Sequence, residues 1–306
     1  MSAHLVEKSA AAYSRLKEVS ARYPDISITT YNSDFESAVP HLLTNIPPQA
    51  FMFLFVDPKG WRIRVDSVAP LFKRPNSEIV FNFMFDFINR AASMNDPVIV
   101  RGLDELIPHG NWRDRLKEIS ASQSDAPVLR KEVLIDAFSE TLSQIGSYTY
   151  VAETPILRPL ADRTLYSLIY ATRKETGIEV FRDCQVKTLR TQSAVRGAAK
   201  VANSEADSGQ IEIFASMGEM APDPTEVFLQ SELRLAESLL LELSPPAPAS
   251  VAYGDIWPQV LAKHAIRKTE LNAVAARLRK EGRLLFADWK ERQRVPSDES
   301  LMFRTP

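Results

Sequence analysis

The chain has 306 residues, 45% hydrophobic and 25% charged, with a formal charge of −2. A chain of this length is near the point where one core stops growing and a second domain becomes the norm, and it buries roughly 75% of its unfolded surface. The single Cys184 excludes a disulfide framework and any zinc knuckle built from cysteines. The longest purely apolar run, Ala50 to Val56, falls far short of the ~20 residues of a bilayer helix. Met1-Ser2-Ala3-His4 leads into charged residues rather than a basic and then apolar signal segment. The expectation is a cytoplasmic protein with no membrane partner.

The first half alternates helix and strand signals. Ala11 to Arg22 predicts a helix with Ala12, Leu16 and Val19 on one face, and Ile26 to Tyr31 alternates as a strand does. Ser37 to Leu43 reads as a helix that Pro40 confines to a short first turn. Phe51 to Val56 is a continuous apolar run ending in Asp57-Pro58, the pattern of a strand buried on both faces. Ser77 to Phe81 predicts another strand, continued by a helix over Asn82 to Ala92, with Phe81, Phe83, Phe85 and Phe87 as core and helix face. A long helix over Ala126 to Ile145 precedes strands at Tyr148 to Ala152 and Leu165 to Ala171. This alternation predicts a parallel α/β sheet wrapped by helices, closed by a strand pair at one edge.

Composition changes after about Lys187. Thr191 to Gly209, rich in small and polar residues, reads as a surface linker or flap, and Glu226 to Leu243 as a helix. The stretch Ser244-Pro245-Pro246-Ala247-Pro248-Ala249-Ser250 reads as a semi-rigid connector. Beyond it, Ile256 to His264 and Glu270 to Glu281 predict two helices, the second with Thr269 as N-cap and Gly282 just past its end. Leu271, Val274, Ala275 and Leu278 form its apolar face; Asn272, Ala276, Arg279 and Arg283 lie opposite. Leu284 to Trp289 and Leu301 to Phe303 complete a hairpin, and helix, helix, hairpin is the order of a winged-helix module. From Ser250 onward Lys plus Arg is 11 and Asp plus Glu is 7, or +4; the rest has 26 against 32, or −6. The expected domains are therefore 1–187, a linker and connecting helix over 188–249, and a basic module over 250–306.

Ten glycines are present, none before Gly60, and no G-x-G pair occurs. That excludes a P-loop and a Rossmann fingerprint, because a loop that sets backbone N–H groups against a phosphate needs glycine. The best candidate site is Asp57-Pro58-Lys59-Gly60-Trp61, since ligands of open α/β sheets bind outside the carboxyl ends of the strands. There a carboxylate and a proline carbonyl could accept hydrogen bonds from an exocyclic amine awaiting methylation, with Trp61 stacked on the base. The same residues also suit a strand ending in a helix-starting turn. Glu7, after His4-Leu5-Val6, is placed to hold ribose hydroxyls, and Asp34 with Phe35 to flank an adenine; either acid also suits a cap. His4, His41, His109 and His264 are isolated, and Cys184 reads as a buried or half-buried structural thiol. Glu153 and Asp162 carry no spacing argument.

Three stretches resemble one family. Phe53 to Trp61, Ser77 to Arg90, and Leu165 to Arg173 continuing through Gly177 to Phe181, together with Gly110-Asn111-Trp112, look like the three-Cys-motif partner proteins over residues 5 to 185. The resemblance implies a Rossmann-like class I methyltransferase-type sheet with a C-terminal winged helix, S-adenosylmethionine as cofactor, and a phage- or mobile-element-associated partner whose three-cysteine motif is similar to radical-SAM enzymes. It also implies roles: Asp57, Pro58 and Trp61 at the substrate, Glu7, Asp34 and Phe35 at the donor. Arg279, Lys280 and Arg283 would contact DNA or RNA phosphates. Two departures stand out. The family's first strand and Asp-Gly-Phe-Ala-Gly-Pro-Gly-type loop have no counterpart, because Val6-Glu7-Lys8 matches the end of its second strand; a start placed too late, or a fragment, would explain that. Lys59 also replaces the third residue of Asp-Pro-Phe-Gly. Two readings follow: a methyltransferase-like protein acting on nucleic acid with its partner, or a non-catalytic subunit with a degenerate methyltransferase fold that binds nucleic acid or the partner.

Overall fold

The computed structural model describes residues 1–58, 62–119, 126–157, 164–208 and 223–305, with side chains placed except at residues 157 and 196–208. The fold is mixed α/β, and the chain divides into two compact units, Met1–Tyr148 and Thr149–Pro306. The sequence suggests a boundary near residue 187.

The first unit opens with β1 (Ser2–Val6), α1 (Ala10–Ser20) and β2 (Ser27–Tyr31), α1 being the crossover between two parallel strands. Not one residue of these three elements is buried. The predicted face of α1 is rotated: Tyr13, Leu16 and Ser20 are half-buried while Val19 is 46% exposed. The Tyr13 hydroxyl, 3.1 Å from Thr30 Oγ1, fixes that rotation against β2. Next come α2 (Phe35–Asn45), which carries Pro40 in its interior and runs past the predicted short turn, and β3 (Met52–Val56).

β3 pairs in parallel with β4 (Ser77–Phe83), Met52 opposite Ser77 and Val56 opposite Phe81. The expectation that β3 is buried on both faces is overturned. Met52, Leu54 and Val56 are buried, but Phe51, Phe53 and Phe55 are 64%, 56% and 61% exposed. Among the described residues, the face that carries Phe51, Phe53 and Phe55 thus has no layer packed on it; separately, β1 and β2 form a sheet of their own, and β3 is an edge strand. The helix predicted from Asn82 starts later, as α4 (Phe85–Ala91), because Asn82 and Phe83 extend β4.

The core of this unit lies under α3 (Val65–Phe72), α5 (Pro97–Leu106) and α7 (Ala126–Gly146), with Phe81 and Phe83 packed on Phe138 at ring-centroid distances of 4.6 and 4.9 Å. Between α5 and α6 (Trp112–Glu118), Gly110 adopts φ +81°, and a Cβ there would fall 2.6 Å from Ala137 Cα. Only glycine lets that turn approach α7 so closely.

The second unit begins with the antiparallel pair β5 (Tyr150–Leu157) and β6 (Thr164–Thr172). α8 (Glu175–Ser208) then runs straight through the stretch predicted as a linker. Its alanines at 194, 198, 199, 202 and 206 supply the helix propensity that the small-residue composition disguises. Cys184 sits exposed on α8, not buried as expected, because Arg182, Gln185, Val186 and Leu189 take the inward positions. α9 (Pro224–Leu243) follows, N-capped by Asp223. The proline stretch is not a free connector: Pro246 bridges to Arg304, whose N–H donates to the Pro245 carbonyl at 2.9 Å.

The chain ends with β7 (Val251–Ala252), α10 (Tyr253–Lys263), α11 (Lys268–Lys280), β8 (Leu284–Phe286) and β9 (Leu301–Arg304), the strands ordered β7-β9-β8 and antiparallel. Leu271, Val274, Ala275 and Leu278 are buried, as the periodicity predicts. α11 starts one residue before Thr269, its first turn closed by the Arg267 N–H on Glu270 Oε2 at 2.9 Å. At its other end Gly282, φ +73°, and the bonds Gly282 N–H to Arg279 O and Arg283 N–H to Leu278 O make a Schellman ending.

Candidate functional site

The sequence-predicted acids lie at the carboxyl ends of parallel strands, where α/β sheets bind ligands. Glu7 follows β1, and its Oε1 accepts the Ser9 N–H at 2.6 Å at the start of α1. Asp34 follows β2 and caps α2, accepting from Ser37 N–H at 2.9 Å and Ser37 Oγ at 3.0 Å. Those hydrogen bonds, the backbone one first, hold the Asp34 carboxyl below its ordinary range. Phe35 is half-buried at the first position of α2. Both acids therefore serve their own helices. No glycine-supported loop stands beside them: the described glycines with positive φ are Gly110 and Gly282. Among the described residues, no group beside these acids is placed to take the amino-acid end of S-adenosylmethionine, so the described residues do not fit that donor.

Asp57 follows β3 and is exposed, and Pro58 is buried. Asp57 Oδ1 accepts a hydrogen bond of 2.6 Å from Asn82 Nδ2, so the ends of β3 and β4 are tied by side chains. The other end of that amide, Asn82 Oδ1, is buried without a hydrogen-bond partner. The exposed acceptor at this strand end is therefore the Asp57 carboxylate, which suits an N–H donor rather than an anion. Asn82 escapes a sequence reading because its signal is the pairing register alone. Trp61, Lys59 and Gly60 lie outside the described residues, as does Asp162; Glu153 accepts from Ser167 Oγ at 2.6 Å across the β5–β6 pair.

A second set of groups, which the sequence reading missed, lines a cavity of about 440 Å³ in the same unit: Glu36, Arg62, Arg64, Pro97, Val98, Arg101, Gly102 and Glu105. Arg64 is locked to Glu36 by its backbone N–H at 3.0 Å, Nε at 2.9 Å and Nη2 at 2.6 Å.

In the second unit the predicted nucleic-acid residues divide. Arg283 pairs with Glu237 of α9 at 2.9 Å, and Arg277 joins the same carboxylate. Arg279 lies over the Trp289 ring at 4.5 Å, which joins the end of α11 to the loop between β8 and β9. Lys280 is exposed without a partner among the described residues, and so are the side chains of Lys290, Arg292 and Arg294 in that loop. No group of His, Cys, Asp and Glu that could hold a metal ion occurs among the described residues, nor any helix long and apolar enough to cross a membrane.

No protein-family model, curated protein or solved structure matches the chain.

Proposed function

We propose that this chain is a nucleic-acid-binding subunit of the three-Cys-motif partner type, reading DNA or RNA through a winged-helix module and carrying a methyltransferase-like layer that does not hold S-adenosylmethionine by itself. The observation that carries the reading is the arrangement of α10, α11 and the β7-β9-β8 sheet, with a loop between β8 and β9, joined to the end of α11 by Arg279 on Trp289, that presents Lys290, Arg292 and Arg294 without partners among the described residues. Two helices followed by a charged loop on a small antiparallel sheet set one helix and one loop against a phosphate backbone. The uncovered β3 and the separate β1–β2 pair support the second half of the proposal. A parallel sheet is ordinarily buried on both faces, and here one face of β3 is exposed and, among the described residues, β1–β2 and β3 are not paired.

Binding of the full chain to labelled duplex DNA and structured RNA across a salt series tests this. Lys280→Ala with Arg292→Ala should reduce the slope of log affinity against log salt by roughly 1.8 on duplex DNA. Binding that both variants leave untouched, or no binding at all, refutes the reading.

One observation favours a catalytic second reading: the Asp57 carboxylate is exposed at the carboxyl end of β3 beside buried Pro58, an acceptor where an exocyclic amine could be presented. Calorimetric titration with S-adenosylmethionine decides between them. No saturable heat at tens of micromolar fits the binding subunit, and stoichiometric binding fits the enzyme.

A further inference from the structure

We propose that the cavity lined by Arg62, Arg64 and Arg101 binds the phosphate of a nucleotide, with the base against Pro97 and Val98. It rests on the nucleic-acid reading above but uses a different unit of the chain and different residues. The local backbone places the groups. Between β3 and α3, Arg62 and Arg64 are exposed and Ile63 is buried, so the alternation of an extended segment sends both arginines to one side. Arg64 is then immobilised by its three bonds to Glu36 in the first turn of α2. Arg101 approaches from α5, which also contributes Pro97, Val98 and Glu105.

The charge balance decides the ligand's sign. Three guanidinium groups face two carboxylates, and Glu36 is fully spent on Arg64. Arg62 and Arg101 have no ion pair or hydrogen bond among the described residues, with Glu105 the one remaining carboxylate at the cavity. The site carries a net positive charge and a surplus of planar donors, which suits a tetrahedral oxyanion and repels a cation. Size and lining narrow the class. A cavity of about 440 Å³ is in the ~300–1,000 Å³ range of small-ligand pockets, too small for a duplex groove. Val98 is 68% exposed, an apolar wall beside the arginines, and a base face is the apolar surface that accompanies a phosphate in a nucleotide. The position, between the segments that follow β2 and β3, is the carboxyl side of the parallel strands.

The phosphate could belong to a free mononucleotide or to a single strand. Both arms run on the full chain: fluorescence anisotropy of a labelled single-stranded oligonucleotide, and competition by an unlabelled mononucleotide. Arg62→Ala with Arg101→Ala should weaken the oligonucleotide at least tenfold and reduce its salt slope by about 1.4, with the melting temperature unchanged because neither arginine has a partner to lose. Competition at equal concentration of phosphate assigns the site to the free nucleotide, and failure to compete assigns it to the strand. Unchanged affinity in the double variant overturns the proposal. Loss of binding in Lys280→Ala with Arg292→Ala but not in Arg62→Ala with Arg101→Ala overturns this site and leaves the winged-helix reading standing; the reverse pattern does the opposite.

Discussion

The bare face of β3 gives a quantitative prediction about which side of the strand belongs to a core. Phe53 is 56% exposed and Leu54, its neighbour on the other face, is 8% exposed. Full burial of a phenylalanine side chain is worth about 1.5–3 kcal/mol, so a ring less than half buried contributes roughly 1 kcal/mol. Phe53→Thr keeps strand propensity and removes the ring, and it should cost about 1 kcal/mol. Leu54→Ala removes a packed side chain and leaves a cavity, and should cost about 2–5 kcal/mol. Urea unfolding followed by far-UV circular dichroism measures both through the midpoint at constant slope. A Phe53→Thr loss of about 3 kcal/mol or more, the range for truncating a fully buried phenylalanine, would refute the uncovered face of β3.

Two further outcomes follow from buried polar groups of the second unit. Arg182, 2% exposed, donates to the Leu261 and Ala262 carbonyls at the end of α10 at 2.5 and 2.9 Å, and burial lowers its pKa to about 10; Arg182→Ala should cost about 3–5 kcal/mol in urea unfolding, and a loss under 1 kcal/mol would contradict that anchoring. Burial opposes ionisation of Glu232, yet hydrogen bonds from the His264 ring and the Ala265 N–H outweigh it and hold its pKa below the ordinary 4.5. The stability it contributes is thus present above that value and lost as pH falls through the folded one. Glu232→Gln should lower the melting temperature at neutral pH and converge with the wild type below pH 4.5, and a constant gap down to low pH would contradict it.

The sequence makes α11 legible because its four buried residues recur at helical spacing and a glycine marks its end. Phe51 to Val56 misleads for a physical reason: hydrophobicity records what a strand could bury, and the cover must come from elsewhere in the chain. The helical stretch after Thr191 misleads in the opposite way, since alanine and serine read as linker composition while alanine favours helix whenever the first turns are already formed by packing. Asp57 and Asp34 are placed correctly at strand ends by the alternation of elements. Their surroundings are not, because Asn82 reaches Asp57 through strand register and Arg101 comes to the same cavity as Arg62 through tertiary packing, and neither leaves a spacing in sequence.

The distribution of paired and unpaired cations matters more for binding than the count that sequence offers. An arginine already held by a carboxylate must exchange that pair for a phosphate, so its contribution is the difference between two charge-assisted interactions. Arg277 and Arg283 share Glu237, and Arg64 holds Glu36 through three hydrogen bonds. These groups shape the surface without supplying much free energy of association. On the nucleic-acid reading proposed above, Arg62, Arg101, Arg292 and Arg294 would meet a phosphate with no partner among the described residues to give up, so each would add its full share of counterion release. On the proposed reading, the surplus of +4 after Ser250 would therefore locate a binding surface poorly by itself, whereas cations sorted by what each already touches would favour the loop after β8 and the cavity beside α5.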